Sequence, residues 1–86
     1  MPQISRFFGI IIMMYYDDHN PPHFHARYGG QECLIRIDNF QVLEGNLSSR
    51  ALKMVLEWAE IHQLELIDNW ERARLLQTLD NIDPLN

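Results

Sequence analysis

The hydrophobic spacing of the chain changes once, near residue 46, and this change constrains the fold more than any other feature. Before it, short apolar runs are separated by turn residues; after it, apolar residues recur at the spacing of an amphipathic helix. A β-rich half followed by a helical half predicts an α+β fold. The 86 residues are predicted to form a single domain, with a β-rich half at 1–46 and a helical half at 47–80.

The N-terminal half has the pattern of a small antiparallel sheet. Residues 4–8 and 10–16 are nearly continuously apolar and are interrupted at Gly9, which is typical of a central strand with a bulge or bend. A further short strand is expected over 40–43, after a turn at residues 38–39. We therefore expect a sheet of three to four strands.

A Gly-Gly pair separates two alternating segments, residues 23–28 and 31–37, and predicts a β-hairpin with a two-residue turn. This register pairs Tyr28 with Gln31 at the turn and His23 with Arg36 at the open end. Alternate side chains then share a face. The core face is predicted to contain Phe24, Ala26, Cys33, Ile35 and Ile37, and the polar face His23, His25, Arg27, Glu32 and Arg36.

The C-terminal half is predicted to be helical and to pack on one face of the sheet. Ser48 or Ser49 is a suitable N-cap, and apolar residues then recur on one helical face from Leu52 onward. No proline, glycine or capping signal occurs over 63–65. The pattern is compatible with one bent helix and with a helical hairpin of two helices.

Charge and composition exclude several classes of protein. A single cysteine, Cys33, allows no intramolecular disulfide. The net charge of −5 lies mostly in residues 44–86, so the chain lacks the cationic surface of a protein that binds long duplexes. The apolar run at 7–16 is too short to span a membrane, and we expect a cytoplasmic, soluble protein without a membrane partner. A domain this small would gain stability from homo-oligomerisation.

The segment from Asp17 to Ala26 is the candidate functional region, because it contains three of the four histidines and two carboxylates. One interpretation is a divalent transition-metal site formed by His19, His23 and His25 with a carboxylate. A second is proton transfer, in which His23 and His25 act as acid and base and His19 or Asp18 orients them. The third is a structural loop made rigid by its two prolines.

Two arginines lie on the same predicted face as the histidines. Arg27 and Arg36 would suit a phosphate group, as in RNA cleavage without a metal, where histidines move protons and arginines stabilise the charged phosphorus centre. The alternative is a solvated hairpin face on which Arg27 pairs with Glu32 across the strands.

Several blocks of the chain resemble the domain-of-unknown-function 4160 family. They are residues 1–10, the string Tyr-Asp-Asp-His-Asn-Pro-Pro-His-Phe-His-Ala at 16–26, Leu-Glu-Gly-Asn-Leu at 43–47, Trp-Ala at 58–59, Leu-Glu-Leu at 64–66 and Asn-Trp at 69–70. The resemblance implies a small bacterial protein encoded beside a protein of the domain-of-unknown-function 2442 family, in a gene pair that looks like a toxin–antitoxin system. It places His19, His23 and His25, with Asp18, in the signature block but implies no catalytic role for them.

Three functions follow as expectations. The leading one is a toxin–antitoxin component that acts on nucleic acid, as a small ribonuclease-like toxin with RNA as substrate and a small cognate protein, encoded nearby, as partner. The second is a metal-binding protein or metalloenzyme. The third is a non-enzymatic partner-binding or regulatory module, in which the helical half docks the partner and the histidine loop is structural.

Overall fold

The computed structural model describes residues 3–16 and 18–86, and within them five strands precede two helices. The elements are β1 (Gln3–Phe7), β2 (Ile10–Met13), β3 (His23–Tyr28), β4 (Gln31–Arg36), β5 (Val42–Gly45), α1 (Ser49–Ile61) and α2 (Gln63–Arg74). Asp17 of the histidine loop, and Met1 and Pro2, lie outside the described residues. The expected α+β class is confirmed.

The sheet is an antiparallel meander in the order β1-β2-β3-β4-β5, and it has more strands than the three to four expected. The apolar run interrupted at Gly9 forms two strands, because Phe8 and Gly9 both have positive φ and make a tight turn between paired residues Phe7 and Ile10. The last strand begins at Val42, two residues later than predicted, since Phe40 has a φ of 61° within the preceding turn.

The hairpin of β3 and β4 has the predicted register at every position, from His23 opposite Arg36 to Tyr28 opposite Gln31. All five residues assigned to its core face are buried. Burial, with a smaller effect from the charge of Glu32, raises the pKa of the Cys33 thiol to about 11. Cys33 is therefore a protonated core residue at neutral pH and is not available as a thiolate ligand.

Helix α1 covers the core face of the sheet. It begins after Ser48, whose hydroxyl accepts a hydrogen bond from the Ala51 backbone N–H. Trp58, in the last turn of α1, is fully buried, and its ring centroid lies 5.5 Å from that of Phe7 and 5.8 Å from that of Phe24. This contact joins α1 to the first and third strands, at the centre of the core.

The helical half contains two helices, which answers the question that the sequence left open. Helix α1 ends at Ile61, α2 begins at Gln63, and His62 lies between them with φ −110° and ψ 24°. His62 caps α1 through its backbone N–H, which donates to the Trp58 carbonyl. In the part of the chain that the structure describes, no helix has the length and apolar character needed to cross a bilayer.

After α2 the chain returns over the helices to the first strand. The buried Asn69 side chain binds both the carbonyl and the N–H of Asp80, each at 2.9 Å. Trp58 Nε1 donates to the Asp83 carbonyl at 2.8 Å, and the Ile82 N–H donates to the Ile4 carbonyl at 2.8 Å. We call residues 77–86 the C-terminal tail; it is attached by these bonds and by the buried side chain of Ile82.

Candidate functional site

The first residues of β3 place two histidines on the sheet face opposite to α1. His23 and His25 are two residues apart on one strand, so their side chains share this face. The face was expected to be polar, with a solvated face as the alternative, but His23 is only 3% exposed and His25 13%. The difference arises because Trp70 of α2 packs 5.3 Å from the His23 ring and Tyr15 meets His25 edge-on at 4.5 Å.

Asp18 brings the two histidines together at a single oxygen atom. Its Oδ2 lies 3.0 Å from Nε2 of His23 and 3.3 Å from Nε2 of His25. One ligand atom from each of the three residues lies within 4.8 Å of the other two. We call Asp18, His23 and His25 the histidine–aspartate cluster.

The backbone determines which nitrogen of His23 carries a hydrogen. His23 Nδ1 is 2.7 Å from the Pro21 carbonyl oxygen, and since a carbonyl only accepts, Nδ1 must donate. The Nε2 atom of a neutral His23 therefore presents a lone pair to the Asp18 carboxylate, which also only accepts. Among the described residues Nε2 has no hydrogen-bond partner. The 3.0 Å contact is favourable when a cation, either a proton or a metal ion, lies between the two atoms.

His25 is placed between two carboxylates. Its Nε2 faces Asp18, and its Nδ1 faces Oε2 of Glu32 at 3.5 Å. The Nδ1 atom is buried and has no hydrogen-bond partner within residues 3–16 and 18–86. A neutral imidazole donates through one nitrogen only, so one of the two carboxylates faces a lone pair unless a cation is present.

The surroundings of Asp18 favour its charged form. Burial would raise the pKa of Asp18, but the hydrogen bond with His25, a positive charge on His23 and the hydrogen bond from the His19 backbone N–H together lower it below its ordinary value. Asp18 is therefore a carboxylate at neutral pH, which is the form that binds metal ions and accepts protons.

The donor atoms of the cluster suit a divalent transition metal. Two imidazole nitrogens and one carboxylate oxygen are ligands found in zinc sites and in non-haem iron sites. Around a metal ion with ligand distances of about 2.0–2.2 Å, neighbouring ligand atoms are roughly 2.9–3.5 Å apart. The 3.0 and 3.3 Å separations at Asp18 Oδ2 match this range.

The other candidate residues lie at the margin of the cluster or outside it. His19 is 94% exposed, with Nδ1 3.5 Å from Asp18 Oδ1, and it does not belong to the group of converging ligand atoms. Arg36 donates from Nε to Asp38 at 2.6 Å, so its charge is partly neutralised. Arg27 is opposite Glu32, as the register predicted. His62 binds Glu65 instead of joining the cluster.

The sequence did not identify three residues that complete the surroundings of the cluster: Tyr15, Glu32 and Trp70. Glu32 was assigned to the correct face, but as a partner of Arg27. Its diagonal position across the strands from His25 was already implied by the hairpin register, so it could have been identified. Trp70 could not have been identified, because its contact with His23 depends on the direction of α2.

A cleft of about 410 Å³ lies between α2 and the C-terminal tail. Two of its carboxylates, Asp68 and Asp80, already face Arg72 at 2.9 and 3.6 Å. Arg72 thus offsets part of the negative charge of this cleft, and the histidine–aspartate cluster remains the candidate site.

Comparison with known proteins gives one family. The family described as Domain of unknown function (DUF4160) matches residues 9–71, which is most of the chain and includes the whole cluster. The chain belongs to this family. No curated protein and no solved structure matches it. The DUF4160 match thus identifies a family without assigning a function to Asp18, His23 or His25.

Proposed function

We propose that this protein binds one divalent transition-metal ion through Asp18, His23 and His25. One observation carries the proposal: the Nε2 atoms of two imidazoles converge on one carboxylate oxygen, and His23 Nδ1 is already committed to a carbonyl. A hydrogen bond from Nδ1 to a backbone carbonyl is the usual support of a metal-binding histidine. The sequence-based set contained His19, His23, His25 and a carboxylate; in the proposed set Asp18 supplies the carboxylate and His19 is absent.

Metal analysis tests this ligand set. Untagged wild-type protein is expected to contain close to one Zn²⁺ per chain after incubation with the ion and gel filtration, measured by elemental mass spectrometry. Asp18→Asn, His23→Gln and His25→Gln should each lose the ion, because the first removes the charge of the carboxylate and the other two each remove an imidazole nitrogen. His62→Gln is the matched control, since it removes a histidine outside the cluster.

His19→Gln distinguishes the structural ligand set from the sequence-based one. We expect this variant to retain the ion, because His19 is not among the converging ligand atoms. Loss of the ion with His19→Gln would show that the ligand set is wrong. Wild-type protein without metal, or cluster variants that keep it, would refute the proposed centre. Circular dichroism of each variant confirms that the fold is intact.

The second candidate function is RNA cleavage by a toxin–antitoxin component. Its support is the pairing of two imidazoles with one carboxylate, since an oriented pair can accept a proton from a ribose hydroxyl and donate one to the leaving oxygen. Arg27 lies two residues after His25 on β3 and is the first candidate for a phosphate contact. Arg36 is a weaker one because Asp38 binds it.

Expression in bacteria tests the second candidate. Wild-type protein should inhibit growth, the purified protein should cleave RNA in the presence of EDTA, and His25→Gln should abolish both effects. Cleavage that requires added metal would instead assign the activity to the metal centre. Absence of growth inhibition and of cleavage would remove the ribonuclease function. A cytoplasmic location and a small cognate protein, encoded nearby, that suppresses the inhibition belong to the same proposal.

A further inference from the structure

We propose that Glu32 is a positioning residue for His25. Its carboxylate holds the imidazole in the tautomer with hydrogen on Nδ1, so that Nε2 presents its lone pair beside Asp18. The inference rests on the proposed metal centre, because it assigns to Glu32 the role of supporting one of its ligands.

The contact geometry of His25 carries this role. His25 Nδ1 is buried, and the structure places Oε2 of Glu32 3.5 Å away. A hydrogen bond of ordinary length needs an approach of about 0.5 Å. Glu32 has the freedom to make this approach, since its side chain is 41% exposed. Once Nε2 binds an ion, Nδ1 is the remaining donor and Glu32 the nearby acceptor.

The two histidines of the cluster have the same arrangement. In each ring, Nδ1 faces an acceptor and Nε2 faces Oδ2 of Asp18; the acceptor is the Pro21 carbonyl for His23 and the Glu32 carboxylate for His25. Carboxylate–histidine–metal chains of this kind orient the ring and raise the basicity of the ligand. Glu32 thus accepts from His25 Nδ1 in the way that the Pro21 carbonyl accepts from His23 Nδ1.

The strand register explains why Glu32 is available. Arg27 is opposite Glu32, and His25 is opposite Leu34, so Glu32 is the diagonal neighbour of His25 on the same face. Glu44 of β5 is opposite Leu34 and is also an exposed carboxylate of this face. Replacing Glu44 removes the same charge from the same sheet, one strand farther from His25, and is therefore the matched control.

Zn²⁺ titration and nitrogen NMR test the role together. We expect Glu32→Thr to bind Zn²⁺ roughly 10- to 100-fold more weakly than wild type, as for other supports of metal ligands. Glu32→Gln should lose less, because its amide oxygen still accepts from Nδ1. In ¹⁵N-labelled wild-type protein loaded with Zn²⁺, His25 should carry its hydrogen on Nδ1. Glu44→Thr should match wild type in both measurements.

The outcomes separate this inference from the metal centre itself. Wild-type affinity and an unchanged His25 spectrum in Glu32→Thr would overturn the role of Glu32 and leave the centre in place. An equal loss in Glu44→Thr would also overturn it, because the effect would then follow surface charge. A wild-type protein that binds no Zn²⁺ would refute both proposals.

Discussion

Replacing Trp58 with alanine is expected to lower the free energy of unfolding by about 3–5 kcal/mol. The Trp58 side chain is fully buried, contacts Phe7 and Phe24 on two strands, and donates a hydrogen bond to Asp83 in the C-terminal tail. Alanine would leave a cavity between α1 and the sheet and remove one of the hydrogen bonds that attach the tail. The loss is a large share of the roughly 4–13 kcal/mol expected for a domain of this length.

Urea denaturation followed by circular dichroism measures this change in the free energy of unfolding. Two further variants serve as comparisons. Trp58→Phe keeps most of the packing and removes the indole N–H, so we expect a smaller loss that includes about 0.5–1.5 kcal/mol for the hydrogen bond. Leu64→Ala alters an apolar helix residue that is 82% exposed and should change stability by less than about 0.5 kcal/mol. A loss below about 1 kcal/mol in Trp58→Ala would contradict the central position of Trp58.

Gly45→Ala should destabilise the protein by more than about 2 kcal/mol, because two costs combine. Gly45 has a φ of 72°, a conformation that costs about 1–2 kcal/mol for a residue with a side chain. An added Cβ would also collide with the Glu32 carbonyl oxygen, which is part of β4. The β4–β5 pairing must therefore shift, and Gly45 is opposite Cys33 in that pairing.

Thermal unfolding compares this variant with Gly30→Ala. Gly30 lies in the β3–β4 turn, where an added Cβ meets nothing within 4 Å. We expect Gly30→Ala to leave the midpoint temperature of unfolding nearly unchanged and Gly45→Ala to lower this temperature clearly. Equal midpoints would show that β5 can move away from Glu32 without cost.

The sequence predicted the parts of the fold that depend on neighbouring residues. The register of β3 and β4 follows from the Gly29-Gly30 turn and strict alternation, and both are local. The β1–β2 hairpin was missed because Phe8 at a positive φ is an uncommon turn residue, and its sequence resembles the middle of a buried strand. The C-terminal tail was missed because its contacts with Ile4, Trp58 and Asn69 are distant in sequence.

The candidate site was likewise predictable only where it depends on residues that are close in sequence. Spacing alone placed His23 and His25 on one strand face, but it could not show that Asp18 turns inward while His19 turns outward, although the two residues are adjacent. Burial of His23 depends on Trp70, which is on an element whose direction the sequence did not give. The shared strand face of the two histidines was therefore predictable, and the membership of the cluster was not.

The antiparallel meander also determines the order in which parts of the molecule form. Each strand pairs with its neighbour along the chain, so closure of successive hairpins needs little loop entropy and is fast. The bond between Ile82 and Ile4 joins the two ends of the chain and depends on a sheet that already exists. During unfolding, we expect the C-terminal tail to detach first, while the hairpin that carries His23 and His25 is still paired. We therefore expect His23 and His25 to keep their strand pairing while the tail opens, because transient opening begins far from them along the chain.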